Sequence, residues 1–307
     1  MKTFAKWVGM LLLALSLAPA SASAASYTQT KYPIILVHGM LGWDSIGPYE
    51  YFFGIPGALQ RDGVQVYVAQ VSAVNSTEVR GEQLLTYVKQ VMAVTGAKKV
   101  NLIGHSHGGP TVRYVASVAP TLVASVTSVG GTNKGVVTAD IMRGTAPGAY
   151  SVTVMTSIVD GIGKTIAFLS GDRNPQMATA ALDSISTAGA AKFNAAHPQG
   201  VPLTACGEGD YQVNGVYYFS WSGARPLTNV LDPVDGALKL ASLAFKGEKN
   251  DGLVGSCSSR LGRVIRDDYG MNHMDEVNQV AGLVNLFDTN PLTVYRQHAN
   301  RLREMGL

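Results

Sequence analysis

The sequence predicts an α/β fold with a mostly parallel central sheet, helices on both faces and a helical lid. Three observations carry this. Short runs of wholly apolar residues alternate with segments of helix length. The apolar runs lack the in-out alternation of a half-exposed strand, as expected for strands buried on both faces. One of them ends in a glycine-flanked turn that leads straight into a helix-competent stretch.

Ile34–Val37 is the first such run, closed by His38-Gly39, and Val64–Val71 is the second. From about Ser76 to Val94 a helix is expected, with Leu84, Leu85, Val88, Val91 and Met92 at helical spacing and Gly96 as its stop. Val100–Ile103 is a third strand, a helix follows from about Pro110, and Ser125–Val129 is a fourth strand. Strands spaced by helices call for a parallel sheet. Further on, Asn214-Gly215 between β-rich flanks predicts a hairpin across Tyr211–Tyr218. Ser220–Asp235 reads as loop, Val277–Leu286 as helix-like, and Pro291 opens a C-terminal helix. No repeat, linker or boundary divides residues 25–307, so one domain is expected.

The first two dozen residues stand apart. Lys2 and Lys6 precede an apolar stretch, Val8–Ala18, and Ala22-Ser23-Ala24 has the small-x-small pattern of a cleavage site. The apolar stretch is shorter than the roughly 20 residues a membrane span needs. A signal peptide over residues 1–24 and export are therefore expected. The leader holds two lysines and no acid, so removing it takes the formal charge from +3 to +1. A nearly neutral chain without a Lys/Arg run gives no support for nucleic-acid binding. The only cysteines, Cys206 and Cys257, are an even count in an exported chain and read as one disulfide. Closing a loop of about 50 residues is worth roughly 4 kcal/mol in the chain-entropy model. The absence of C-x-x-C pairs or a Cys/His cluster in the sequence argues against zinc.

The strongest chemical signal is Gly104-His105-Ser106-His107-Gly108, directly after the strand Val100–Ile103 and before the run Pro110–Val118. A serine on a sharp strand-to-helix turn needs small residues two positions to either side, and Gly104 and Gly108 supply them. The turn lifts the hydroxyl to the helix N-terminus, where the dipole favours developing negative charge. A serine hydroxyl also needs a base. Chain order in folds of this class runs Ser, acid, His, which leaves His197, His273 and His298. His197 lies in a polar loop and His298 in a helical stretch; His273, on a loop before the helix-like run, is preferred. Asp232, Asp235, Asp251, Asp267 and Asp268 all precede it, and spacing does not rank Asp251 clearly above Asp232. Near Gly148–Leu169, Met155, Ile158, Val159, Ile162, Ile166 and Leu169 share one helical face, flanked by glycine-rich sequence. This segment is the expected lid, within an insertion at roughly residues 135–175.

Five stretches together resemble the secreted bacterial true lipases of the Pseudomonas and Burkholderia type: Tyr32–Met40, Val100–Pro110, Ala205–Gly209, Asn250–Val254 and Asn272–Gln279. They span nearly the whole exported chain. The resemblance implies an α/β-hydrolase fold and the triad Ser106, Asp251 and His273. It implies an oxyanion hole from the backbone N–H groups of Met40 and His107, and the Cys206–Cys257 bridge. It further implies one structural Ca²⁺ held by the carboxylates of Asp232 and Asp275 and the carbonyls of Gln279 and Leu283, an all-oxygen set suited to a hard cation. A lipid ester substrate at an oil–water interface, a membrane-anchored foldase, outer-membrane secretion machinery and a monomeric product are implied with it. Gly130–Gly135 and Asp172-Arg173-Asn174 depart from the family's pattern, which bears on acyl-chain preference. The alternative on the same residues is a short-chain carboxylesterase or polyester hydrolase.

Overall fold

The computed structural model describes residues 27–42, 45–46, 49–146 and 176–307. The leader, the expected lid helix Gly148–Leu169 and Asp172-Arg173-Asn174 lie outside the described residues.

Among the described residues, β1 (Ile34–Val37), β4 (Val66–Ala69), β5 (Val100–His105), β6 (Val123–Val129) and β8 (Val216–Gly223) form a parallel sheet in the order β4-β1-β5-β6-β8. The far edge of β8 is shared by β7 (Gln212–Val213), antiparallel, and β9 (Arg263–Tyr269), parallel. Two residue pairs, β2 (Ser45–Ile46) and β3 (Tyr49–Glu50), make a separate small ribbon. The hairpin between β7 and β8 turns on Asn214 and Gly215 at φ 51° and 77°, the left-handed pair that a two-residue turn of this hand requires.

Successive residues of a strand face opposite ways, so β1 feeds two cores. Ile34 and Leu36 pack with Ile103, Trp221 and the helices α1 (Ile55–Gln60) and α9 (Pro291–Glu304). Ile35 and Val37 pack with Leu102, Val126 and the helices α2 (Thr77–Thr95) and α3 (Gly108–Val118). The ends of α2 follow the sequence signals. The Ser76 side chain accepts the Val79 N–H at 3.3 Å, and Gly96 closes the helix at φ 70°. Pro291 opens α9 behind the Asn290 cap.

Two expectations fail. Ser220–Gly223 is strand rather than loop, because its hydroxyls are satisfied inside: Ser220 Oγ accepts the Leu261 N–H at 2.9 Å and Ser222 Oγ meets Ser259 Oγ at 2.9 Å. Val277–Leu286 is not a helix but two short 3₁₀ turns, Asp275–Val277 and Val280–Gly282. Asn278, Val280 and Ala281 all take left-handed φ, which breaks the helical path its apolar spacing suggested.

Between the strands sit α4 (Val137–Met142), α5 (Ala178–Ile185), α6 (Thr187–Ala196), α7 (Asp235–Ala241) and α8 (Ser256–Ser259). Cys206 and Cys257 are bonded, tying the loop ahead of the β7–β8 hairpin to α8.

Candidate active site

Ser106 sits between the end of β5 and the start of α3 with φ 55°, a conformation rarely taken by a residue with a side chain. The glycines around it are forced by close approach. A Cβ on Gly104 would fall 2.1 Å from the Gly108 carbonyl oxygen, and one on Gly108 would fall 2.4 Å from that of Val37. The Ser106 N–H donates to Val129 O at 2.9 Å, and its carbonyl accepts from Gly109 N at 2.9 Å. The strained turn is thus held from β6 on one side and α3 on the other.

The loop after β1 closes against this serine. A Cβ on Gly39 would lie 2.7 Å from Ser106 Cβ and 3.2 Å from Ser106 Oγ, so only glycine fits. Met40 follows it by one peptide, and His107 follows the serine itself. The His107 ring points away and is buried, with Nε2 2.9 Å from Thr77 Oγ1, leaving its backbone at the turn.

Asp251 and His273 come together from the loops before and after β9. Asp251 Oδ2 lies 2.7 Å from His273 Nδ1, while Asp251 Oδ1 accepts the N–H groups of Leu253 at 2.8 Å and Val254 at 2.7 Å. A carboxylate only accepts, so Nδ1 carries the hydrogen and Nε2 is left with a lone pair. Gly252, at φ 105°, makes the turn that folds Leu253 and Val254 back onto the carboxylate. Both members of the pair are buried. Asp232 is elsewhere, as are Asp267 and Asp268, which pair with Arg260 and Arg266. Of the other histidines, His298 is buried in α9 against Thr127 and His197 meets Ser117 at 2.8 Å.

A polar cluster that no sequence pattern marks surrounds this pair. The His105 ring centre is 4.5 Å from that of His273. Tyr51 Oη accepts the Gly39 N–H at 3.1 Å and donates to His105 Nδ1 at 2.7 Å, which puts the His105 hydrogen on Nε2. Nε2 is 3.2 Å from Glu276 Oε2 but off the line of a hydrogen bond. Burial first, then the neighbouring His273, pushes His105 well below the ordinary histidine range. Burial first, then the charge of Asp251, pushes Glu276 well above the ordinary carboxylate range. Both shifts run against an ion pair and favour the neutral form of each group: desolvation outweighs a mutual attraction with no aligned hydrogen bond. Glu276 Oε1 accepts the Gly223 N–H at 2.6 Å.

Arg80, fully buried in α2, grips the loop after β1. Its Nη2 donates to the His38 carbonyl at 2.6 Å and the Gly39 carbonyl at 3.3 Å, Nη1 to the carbonyls of Ser72 and Ala73, and Nε to Thr111 Oγ1 at 3.3 Å. His38 completes the frame, with Nδ1 donating to Gly39 O at 2.9 Å and Nε2 accepting from Val71 at 3.4 Å. Burial and then the Arg80 charge lower its pKa to about 3, so the ring is neutral.

Two clusters have donors that a metal uses. Ligand atoms of His105, His273 and Glu276 lie within 4.8 Å of one another. Their Nδ1 atoms are already engaged by Tyr51 and Asp251, and a nitrogen-rich set does not suit calcium. The second cluster is Asp232 and Asp275. Each is buried with one carboxylate oxygen, Asp232 Oδ2 and Asp275 Oδ1, lacking a hydrogen-bond partner. Burial is the largest cause that raises both, Asp275 to about 7, with Asp232 and Asp235 adding like charge at Asp275. Two orphaned buried carboxylate oxygens, on residues close enough for the Asp232 charge to be felt at Asp275, fit a hard cation. Gln279 and Leu283 flank the left-handed run Val280-Ala281-Gly282 on the same loop as Asp275.

The model of the alpha/beta hydrolase fold family matches residues 32–250. The chain is 58% identical over 309 residues to a triacylglycerol lipase of Vibrio cholerae, covering 97% of this chain and 99% of that one. It is 45% identical to a triacylglycerol lipase of Pseudomonas fragi, covering 91% of this chain and 98% of the relative. This chain belongs to the triacylglycerol lipases of the α/β-hydrolase fold. It is a serine ester hydrolase. The crystal structure of the mature Bacillus licheniformis lipase BlEst2 superimposes with a TM-score of 0.59 at 18% identity, over 81% of this lipase and 87% of that chain, a likeness of fold.

Proposed function

We propose that this lipase hydrolyses triacylglycerols by acyl-enzyme chemistry at Ser106, with His273 as the base, Asp251 as its orienting acid, and the N–H groups of Met40 and His107 as oxyanion donors. The observation that carries the reading is the 2.7 Å contact of His273 Nδ1 with Asp251, with the His273 ring 4.5 Å from that of His105, the residue before a serine held at φ 55°. The Ser106 hydroxyl proton passes to His273 Nε2 as Oγ bonds to the ester carbonyl carbon. The charge that develops on the carbonyl oxygen falls at the start of α3, where the helix dipole and backbone donors stabilise it. His273 then gives the proton to the departing glycerol oxygen as the C–O bond breaks, leaving the acyl-serine. Water attacks the acyl carbon while His273 takes one of its protons, and that proton returns to Ser106 Oγ as the fatty acid leaves. Removing one oxyanion donor typically costs on the order of 100-fold or more.

Asp232 and Asp275, with the Gln279 and Leu283 carbonyls, are the residues that would hold one Ca²⁺. Its chemistry is structural, neutralising two buried carboxylates and bracing the loop that starts two residues after His273. The left-handed residues of that loop are costly, of order 1–3 kcal/mol each, and persist only where surroundings over-determine them. The leader, passage through the periplasm to the outside, maturation on a membrane-anchored foldase, the outer-membrane machinery, one monomeric domain over residues 25–307 and an opening lid within roughly 135–175 complete the proposal. They rest on the leader pattern and the family resemblance.

Initial rates on emulsified triolein and on a soluble short-chain ester test the substrate class. Long-chain activity that jumps above the solubility limit is expected. Activity confined to soluble short-chain esters would mark the chain as a carboxylesterase.

A further inference from the structure

The loops after β8 and β9 each end in a pair of large apolar side chains standing in solvent. Val230 and Leu231 are 89% and 75% exposed, and Leu286 and Phe287 are 81% and 97% exposed. Single exposed apolar residues are ordinary; two adjacent pairs on neighbouring loops are not. The loops are joined, since Asn229 Nδ2 donates to the Val284 carbonyl at 3.2 Å. Each tip is also fixed by its own asparagine: Asn229 Oδ1 accepts the Leu231 N–H at 3.1 Å, and Asn285 Oδ1 accepts the Phe287 N–H at 2.9 Å. The four side chains are therefore held out rather than folded back.

Topology places the tips at a useful edge. β8 and β9 run parallel to β5, so the loops leaving their C-terminal ends rise from the same rim as Ser106. The connection from β8 to β9 also carries cationic charge. A cleft of about 340 Å³ there is lined by Lys239, Lys246 and Lys249 against the single acid Glu248, and exposed Leu243 borders it. Lys249 is partly engaged, 3.7 Å from Asp268, and Arg225 adds a further exposed cation.

We propose that this rim is a docking surface for anionic lipid: Val230, Leu231, Leu286 and Phe287 enter the interface, and Lys239 and Lys246 meet its negative headgroups. Protruding apolar tips, with lysines on the same β8–β9 connection as Val230 and Leu231, fit a soft, charged surface better than a rigid protein groove, and each lysine near an anionic membrane contributes attraction that salt screens. Ester hydrolysis itself releases carboxylates, so a surface under attack becomes more negative and holds the enzyme longer. The inference extends the lipid reading of the active site, yet binding needs no catalysis and can be measured without it.

The test uses the full exported chain carrying Ser106→Ala, sedimented with vesicles of phosphatidylcholine alone or of equimolar phosphatidylcholine and phosphatidylglycerol. Binding to the mixed vesicles should be tighter by about tenfold and should weaken with salt. Lys239→Gln with Lys246→Gln should erase the preference, and Leu231→Ser with Phe287→Ser should weaken binding to both vesicles by about tenfold or more. With Ser106 intact, all these variants should keep the parent rate on a soluble short-chain ester, which controls for folding. Equal binding to both vesicles, or Leu231→Ser/Phe287→Ser binding that matches the parent, overturns the proposal. So does a reversible dimer in analytical ultracentrifugation that this double variant abolishes while vesicle binding stays. A wild-type enzyme inert on every ester would instead sink the catalytic reading and leave the vesicle result standing.

Discussion

His273 and Asp251 are tied twice, by Nδ1 to Oδ2 at 2.7 Å and by the His273 N–H to the Asp251 carbonyl at 2.9 Å. The second tie fixes the histidine backbone, so the first can fix the tautomer. In Asp251→Asn the amide oxygen keeps the place where Leu253 and Val254 donate, which turns the NH₂ toward Nδ1. The ring hydrogen then moves to Nε2 and the base is lost. A fall in kcat on the order of 10³-fold or more, with KM little changed and the thermal midpoint near wild type, is expected. A variant within tenfold of wild type would show that another group orients the ring.

Arg80 grips the carbonyls of His38 and Gly39, and the peptide of Gly39 backs on Ser106. Arg80→Met keeps the packing of the stem and strands several buried carbonyls. Urea unfolding should show a loss of about 1–3 kcal/mol or more, the cost of leaving a buried polar group unmade. Because the loop it holds carries Met40, kcat should fall further than stability explains when both are compared at a temperature where the variant is fully folded.

For calcium, the expectation is a chelator effect on the melting curve. A site saturated at 100 times its dissociation constant contributes about 2.7 kcal/mol, several degrees for a chain of this size. The midpoint should drop in EDTA and recover with Ca²⁺ but not with Mg²⁺, and Asp232→Asn should start low and ignore both. An EDTA-indifferent wild type removes the site.

Acid stability follows from the buried histidines. His38 is lowered to about 3, and His105, His107 and His298 are lowered by burial, whereas the unfolded chain titrates near 6.5. The unfolded chain therefore takes up protons first, and stability present above pH 6.5 is lost as pH falls from there toward 3. Glu276, raised by burial, prefers its proton in the fold and offsets one of these histidines. Each uncompensated histidine steepens the loss by about 1.4 kcal/mol per pH unit. Urea midpoints in saturating calcium should fall steeply as pH drops below 6.5; a flat profile from there to pH 5 contradicts these protonation states.

Much of the scaffold was legible because it is local. Apolar runs, the Ser76 and Gly96 helix ends and the Asn214-Gly215 turn all act within a few residues of themselves. Ser220 and Ser222 misled because their hydroxyls are satisfied by Leu261 and Ser259, far along the chain, so polar residues could stay in a buried strand. The left-handed run near Val280 misled in the other direction, since apolar spacing carries no information on φ. At the site, Gly104 and Gly108 announced the serine. No local pattern gave Tyr51, Arg80, His105 or Glu276 these roles: apart from the Ser72 and Ala73 carbonyls that Arg80 also holds, the contacts that join them to the site link residues 12 to 171 apart. Spacing alone also could not choose Asp251, which is defined by a turn that folds Leu253 and Val254 back on its carboxylate.

The central claim is that Ser106 is the nucleophile, and covalent capture tests it most directly. Incubation with an alkyl organophosphonate followed by intact-mass and peptide analysis should give one adduct per chain, on Ser106, with loss of ester hydrolysis in the same proportion and no adduct in Ser106→Ala. A wild-type enzyme that hydrolyses esters yet carries no adduct, or carries it on another residue, contradicts the account.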